Sequence, residues 1–220
     1  MNVFDIIGPI MIGPSSSHTA GAVRLGRVAW KILDEQLPKK AVIELAGSFA
    51  QTYRGHGTDK ALLAGIMGMH SWDERIRNSL ELATEAGIEY EFIKTDIPDS
   101  HPNTARIHLY REDGVEAVVE GASIGGGNIL VAKVNGMEVA FSGQNNTILI
   151  RHMDRPGAIA AVTNFMAYSD VNIGNFRLAR SKKGGEAIMT IEVDGNPPDR
   201  LMEQLKMLPH VIGVIFLRAL

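Results

Sequence analysis

The 220 residues carry 22 Lys and Arg against 25 Asp and Glu, with 45% hydrophobic residues, 21% charged residues and no cysteine. A net charge of −3 on such a composition excludes a disordered chain and a basic nucleic-acid footprint, and the missing cysteines exclude a disulfide scaffold or a thiolate metal site. No apolar run reaches the roughly 20 residues that span a bilayer, and Met1-Asn2-Val3-Phe4-Asp5 lacks a basic signal-peptide start, so neither membrane nor nucleic acid is an expected partner and the cytoplasm is the expected compartment.

In chain order, a Ser-rich loop leads into a helix on which Leu25, Val28, Ala29, Ile32 and Leu33 share one face. Arg24, Arg27, Lys31 and Asp34 take the other. A strand is expected over Ala41–Gly47, then the segment Tyr53–Asp59, an apolar helix over Lys60–Met67 and a further helix over Asp73–Ala86, stopped by Gly87. Strands follow at Glu89–Lys94, Thr104–Tyr110, Val115–Ala122, Ile129–Val134 and Met137–Phe141, with Asp113-Gly114 and Asn135-Gly136 as hairpin turns. The polar stretch Ser142–Asn146 reads as the domain boundary. Beyond it come a strand at Thr147–Arg151, a helix whose first turn holds Pro156, strands at Val171–Ala179 and Glu186–Val193, a helix after Pro197-Pro198, and a strand at Val211–Leu217. The expected fold is therefore α/β in two parts: a mixed α/β domain over residues 1–143 and a βαββαβ, ferredoxin-like domain over 147–220.

Four segments carry candidate chemistry. Ser15-Ser16-Ser17-His18-Thr19 places hydroxyls beside the N–H groups of a helix start, a fit for a carboxylate or phosphate; simple N-capping by Ser17 or Thr19 is the competing account. Gly55-His56-Gly57-Thr58-Asp59 exposes an imidazole between glycines, either for proton exchange or as a strand-to-helix turn capped by Thr58. His101-Pro102-Asn103-Thr104 can orient a ligand or turn the chain into a strand, and Gly125-Gly126-Gly127-Asn128 allows close backbone approach or a hinge. No Gly-x-Ser-x-Gly elbow, His-Glu-x-x-His motif or dinucleotide fingerprint is present, and no lysine stands in a Schiff-base context. His70, His108, His152 and His210 form no constellation.

Taken with Ser123-Ile124-Gly125-Gly126-Gly127, these segments occur in the same order in iron–sulfur-dependent L-serine dehydratases, and the chain resembles the β subunit of the two-subunit bacterial form. Asp154-Arg155-Pro156-Gly157 and Val171-Asn172-Ile173 resemble an ACT domain. The resemblance implies an L-serine ammonia-lyase that converts serine to pyruvate and ammonia, with an iron of a 4Fe–4S cluster acting as Lewis acid. Such clusters need cysteine thiolates, so it implies a separate cysteine-bearing α subunit and no metal ligand in this chain. Ser15, Ser16, Ser17 and Thr19 would hold the serine carboxylate, with His18 supporting the loop and His56 transferring a proton. Asn103, Thr104 and Gly126 would wall the pocket. Asp154, Gly157 and Asn172 would meet an amino-acid effector, and the ACT domain would pair two copies into a homodimer. The rival from another class is a free-standing amino-acid sensor that catalyses nothing.

Overall fold

The computed structural model describes residues 11–219; the Met1–Asp5 start lies outside them. By internal contacts the chain divides between Asn135 and Gly136 into two compact units.

In the first unit a π-helical segment, Ser16–Gly21, runs straight into α1 (Ala22–Ile32). Strand β1 (Lys40–Leu45) leads to α2 (Gly47–His56), and α3 (Thr58–Ile66) follows after one residue. A 3₁₀ turn, Glu74–Asn78, precedes α4 (Ser79–Glu85). Then come β2 (Glu89–Lys94), β3 (Thr104–Tyr110), β4 (Glu116–Gly125) and β5 (Asn128–Val134). Within this unit the strands lie in the order β2-β1-β3-β4-β5. The β1–β2 pair is parallel and the remaining pairs are antiparallel.

Alternation sets which sheet face is covered. Ala41, Ile43 and Leu45 of β1, with Ala105, Ile107 and Leu109 of β3, are buried, whereas Glu44, Arg106 and His108 line the opposite face. There Arg106 bridges Glu44 and Glu120, and Lys133 reaches Glu120, a ladder across four strands. On the buried side α1 and α3 pack backbone to backbone. A Cβ at Gly26 would stand 2.3 Å from the Leu62 carbonyl, and one at Gly65 would stand 2.1 Å from that of Val23. The paired glycines let the helices approach closely and bury Leu25, Leu62, Leu63 and Ile66 completely, each contributing roughly 1.5–3 kcal/mol.

Three expectations for this unit are corrected. The segment ahead of His56 is helical, so Gly57 joins two helices rather than a strand and a helix. Thr58 caps nothing there. The expected Asp73–Ala86 helix is broken at Asn78, because Asp73 accepts from the Arg75 N–H and sets up a 3₁₀ turn first. Arg24 and Arg27, on the polar face of α1 as expected, are half-buried: Arg24 Nη1 donates to the Gly127 carbonyl at 2.6 Å, and Arg27 Nη1 donates to His70 Nδ1 at 2.9 Å. Burial lowers the pKa of both guanidiniums.

The second unit opens with β6 (Met137–Phe141), and the Ser142–Asn146 stretch connects it to β7 (Asn146–Met153). The order continues α5 (Ala158–Tyr168), β8 (Ile173–Arg180), β9 (Glu186–Val193), α6 (Asp199–Lys206) and β10 (Val211–Leu217). From β7 onward this is βαββαβ, and its antiparallel sheet has the order β10-β7-β9-β8. Ile148, Ile150, Met189 and Ile191 pack against Val162 and Met166 of α5 and Leu201 and Leu205 of α6. Pro156 does not enter the first turn of α5: Gly157, at φ +88°, turns the chain and the helix starts at Ala158. Among the described residues no helix is long and apolar enough to cross a membrane.

Candidate functional site

Ser15 is extended (φ −136°, ψ 123°) and caps the π-helical segment, since the His18 N–H donates to its Oγ at 3.3 Å. The Thr19 N–H donates to the Ser15 carbonyl at 2.8 Å. The cap is thus Ser15, and neither Ser17 nor Thr19 is needed for it. The half-buried Ser16 and Ser17 hydroxyls bond to no other described residue, so they remain available to a ligand. Thr19 is buried, its side chain against the backbone of Gly13.

The His18 ring lies beneath this turn, 8% exposed, edge-on to Phe49 at 5.2 Å and to His56 at 4.7 Å between centroids. Its Nδ1 is 3.3 Å from Ser15 Oγ and its Nε2 is 3.1 Å from Thr52 Oγ1. His56 ends α2 and is exposed; Gly57, at φ +70°, turns the chain into α3, and a Cβ at Gly55 or Gly57 would meet open space. Two histidines 38 residues apart in sequence therefore meet at the turn that carries Ser15–Ser17.

Burial, and secondly the His56 charge, hold the His18 pKa below the ordinary imidazole value. Between that lowered value and the ordinary one, the unfolded chain binds a proton that the native chain does not. The native state therefore keeps its full stability from this group above the ordinary value and loses it as pH falls through the window. Urea denaturation between pH 7 and 5 should show an acid-side loss of stability that is shallower in His18→Gln.

Asn103 joins this cluster through Ser123. Its Nδ2 donates to the Ser123 carbonyl at 3.4 Å, while its buried Oδ1 has no partner. Ser123 is fully buried against Gly21, the last residue of the π-helical segment. Gly125, Gly126 and Gly127 all have positive φ (102°, 60° and 79°), a run that side chains would strain, and the Arg24–Gly127 bond ties this turn to α1. Thr104 stands apart: its hydroxyl is spent on the His101 carbonyl at 2.7 Å. It lines a cavity of about 400 Å³ with His101, Glu120, Leu130 and Lys133, and none of Ser15–Thr19 borders that cavity. Sequence reasoning missed Thr52, Ser48 and Arg24. Only Arg24 carried a signal, as a cation seven residues beyond Ser17, about two helical turns on.

In the second unit Asp154, Arg155, Gly157, Ile159, Arg180 and Lys183 line a depression of about 470 Å³. The Asp154 carboxylate already accepts from Arg180 at 3.1 Å and from the Gly184 N–H at 3.0 Å, and the Gly184 bond first, then Arg180, lowers its pKa. Asp154 thus fastens the β7–α5 loop to the β8–β9 hairpin. Asn172 is not in this depression. It precedes β8 and donates to Asp194 at 2.6 Å, at the opposite end of the strands from Asp154.

Fold and side-chain placement define a two-module chain: a mixed α/β unit with a hydroxyl-rich helix entry, followed by a split-βαβ unit. Residues 2–134 match the family model of the serine dehydratase beta chain, and residues 146–210 match that of the ACT domain. The chain is 46% identical over 213 residues to the probable L-serine dehydratase, beta chain, of Bacillus subtilis, covering 97% of this chain and 96% of that one. It is 40% identical to the L-serine dehydratase, beta chain, of Peptoniphilus asaccharolyticus, covering 88% and 87%. A segment of the L-serine dehydratase of Streptomyces coelicolor is 32% identical, covering 59% of this chain and 33% of that protein. The chain belongs to the serine dehydratase beta-chain family and carries a C-terminal ACT domain.

Proposed function

We propose that this chain is the substrate-holding half of an L-serine dehydratase, a lyase that converts L-serine to pyruvate and ammonia and is active only with a separate α subunit. The reading rests on the meeting of His18 and His56 at the turn that carries the uncommitted Ser16 and Ser17, in a chain of this family. In the reaction, serine loses its α-proton and its β-hydroxide to give an enamine, which hydrolyses to pyruvate and ammonia. Ser16 and Ser17, at the positive end of a helix, hold the substrate carboxylate, and buried Thr19 fixes the turn that presents them. His18, neutral at pH 7, supports that turn. His56 moves the proton at the exposed edge. Asn103 and the Gly126 turn wall the pocket, whereas Thr104 serves the neighbouring cavity.

The family's 4Fe–4S cluster does not fit the donors present. The chain has no cysteine, and among the described residues no group of three His, Asp or Glu side chains gathers to hold a metal. We assign the cluster to a cysteine-bearing α subunit. The Streptomyces relative supports that division, since a segment like this one forms only part of a longer protein of the same printed activity.

We place the domain boundary near Ser142–Asn146, with the ACT domain as a regulatory module. The depression beside Asp154 and Gly157 is the proposed effector site, with Arg155, Arg180 and Lys183 supplying the charge for a carboxylate. Because β8 is a sheet edge, a second copy pairing antiparallel along β8 would bring its β8 start, and so its Asn172 position, to this end. That geometry favours a homodimer.

Co-expression with a cysteine-bearing neighbouring reading frame tests the whole. The expected product is a brown, oxygen-sensitive complex that forms pyruvate from L-serine, and heat on titrating L-serine into the isolated chain. A colourless homo-oligomer without lyase activity would favour the sensor reading, and no heat with any amino acid would leave the ACT domain a dimerisation module.

A further inference from the structure

The hydrogen bonds around His18 have a direction, and one residue outside every segment discussed for the chemistry sets it. The Thr52 hydroxyl donates to the Ser48 carbonyl at 2.8 Å, one turn back along α2. A carbonyl only accepts, and a hydroxyl has one hydrogen. Toward His18 Nε2, 3.1 Å away, Thr52 Oγ1 can therefore only accept, so Nε2 carries the ring proton. Nδ1 is then bare, and at 3.3 Å it accepts the Ser15 hydroxyl hydrogen, while Ser15 Oγ itself accepts from the His18 N–H. The chain of bonds runs one way: Ser15 to His18 to Thr52 to the Ser48 carbonyl.

We infer that Thr52 is a positioning residue which fixes the His18 tautomer and thereby makes Ser15 an acceptor rather than a donor toward the bound ligand. The inference deepens the proposed function and its kinetic arm rests on that reading. With its hydrogen committed inward, Ser15 cannot donate to a carboxylate. It offers a lone pair, which suits the α-ammonium group of an amino acid, and leaves the carboxylate to Ser16 and Ser17. The site thus favours a zwitterion over a simple hydroxy acid, whose neutral hydroxyl donates the weaker hydrogen bond.

The first test needs no activity. Long-range ¹⁵N–¹H spectra of the full chain, with His18 assigned by comparison with His18→Gln, should show the Nε2–H pattern in the native protein and in Thr52→Ser. Thr52→Val is isosteric but cannot accept, so the Nδ1–H pattern should become the major one. A native Nδ1–H pattern, or an unchanged pattern in Thr52→Val, overturns the inference. In the assembled enzyme, Thr52→Val should raise KM for L-serine about 10- to 100-fold, the scale of a hydrogen bond to a charged group, and Thr52→Ser should restore it. Inhibition by glycerate, whose neutral hydroxyl still donates to Ser15 but carries no charge, should weaken much less than serine binding. Equal weakening toward serine and glycerate would overturn the ammonium assignment. A native complex that never turns serine over counts against the dehydratase reading, and the tautomer spectra still decide the role of Thr52.

Discussion

His56→Ala in the assembled enzyme is expected to lower kcat by about 10²- to 10⁴-fold, the range of a lost proton-transfer group, while KM for L-serine moves only a few-fold. The asymmetry follows from where the ring sits. His56 is the final residue of α2, exposed, with His18 meeting it edge-on at 4.7 Å. Truncation to Ala removes no helix cap, since the turn belongs to Gly57, and of the buried side chains it uncovers only an edge of His18. The free serine hydroxyls and the His18–Ser15 bond remain, so ground-state binding persists. Steady-state kinetics with a parallel melting curve check the outcome. Near-native turnover would remove His56 from the chemistry, and a collapsed melting curve would reassign it to structure.

The second unit was readable because each local signal agrees with the others. Asn146–Met153, Glu186–Val193 and Val211–Leu217 are runs of apolar and β-branched residues, and Lys182–Gly185 and Pro197-Pro198 punctuate them. The expected element order survives, with ends shifted by a residue or two. α2 was not readable. Gly-Ser-Phe-Ala-Gln-Thr-Tyr-Arg-Gly-His has glycine near both ends and Ser, Phe, Thr and Tyr diluting its better helix formers, and Phe49, Ala50 and Tyr53 are its only buried residues. Packing of those three side chains, not propensity, makes it helical. Missing that helix hid Thr52, whose hydroxyl faces His18 because both it and Ser48 lie one turn apart on α2. The candidate site was legible as four segments, but not as a geometry. That His18 and His56 touch, while Thr104 faces a separate cavity, depends on pairings between residues distant in sequence.

Gly21→Ala is expected to do damage where helix propensity alone predicts benefit. Gly21 has ordinary helical angles, φ −63° and ψ −41°, and replacing a helical Gly by Ala normally gains up to about 1 kcal/mol. Here the added Cβ would stand 2.1 Å from Ser123 Oγ and 2.7 Å from Ser123 Cβ. Turning the Ser123 hydroxyl away relieves the first clash but not the second. Ser123 cannot retreat either, since its N–H donates to the Asn103 carbonyl at 3.0 Å and its residue pairs with Ile129 across β4–β5. The π-helical segment must therefore lift from the strand, at a cost of about 1–3 kcal/mol, and Ser16 and Ser17 ride on that segment. Stability and serine turnover should fall together. Ser123→Gly, which removes both offending atoms, should restore most of the lost stability in the double variant, giving a coupling that independent sites would not show. A Gly21→Ala chain that is as stable as the native one would mean that helix entry and strand are not in contact at this point, and would detach Asn103 and the glycine turn from the serine site.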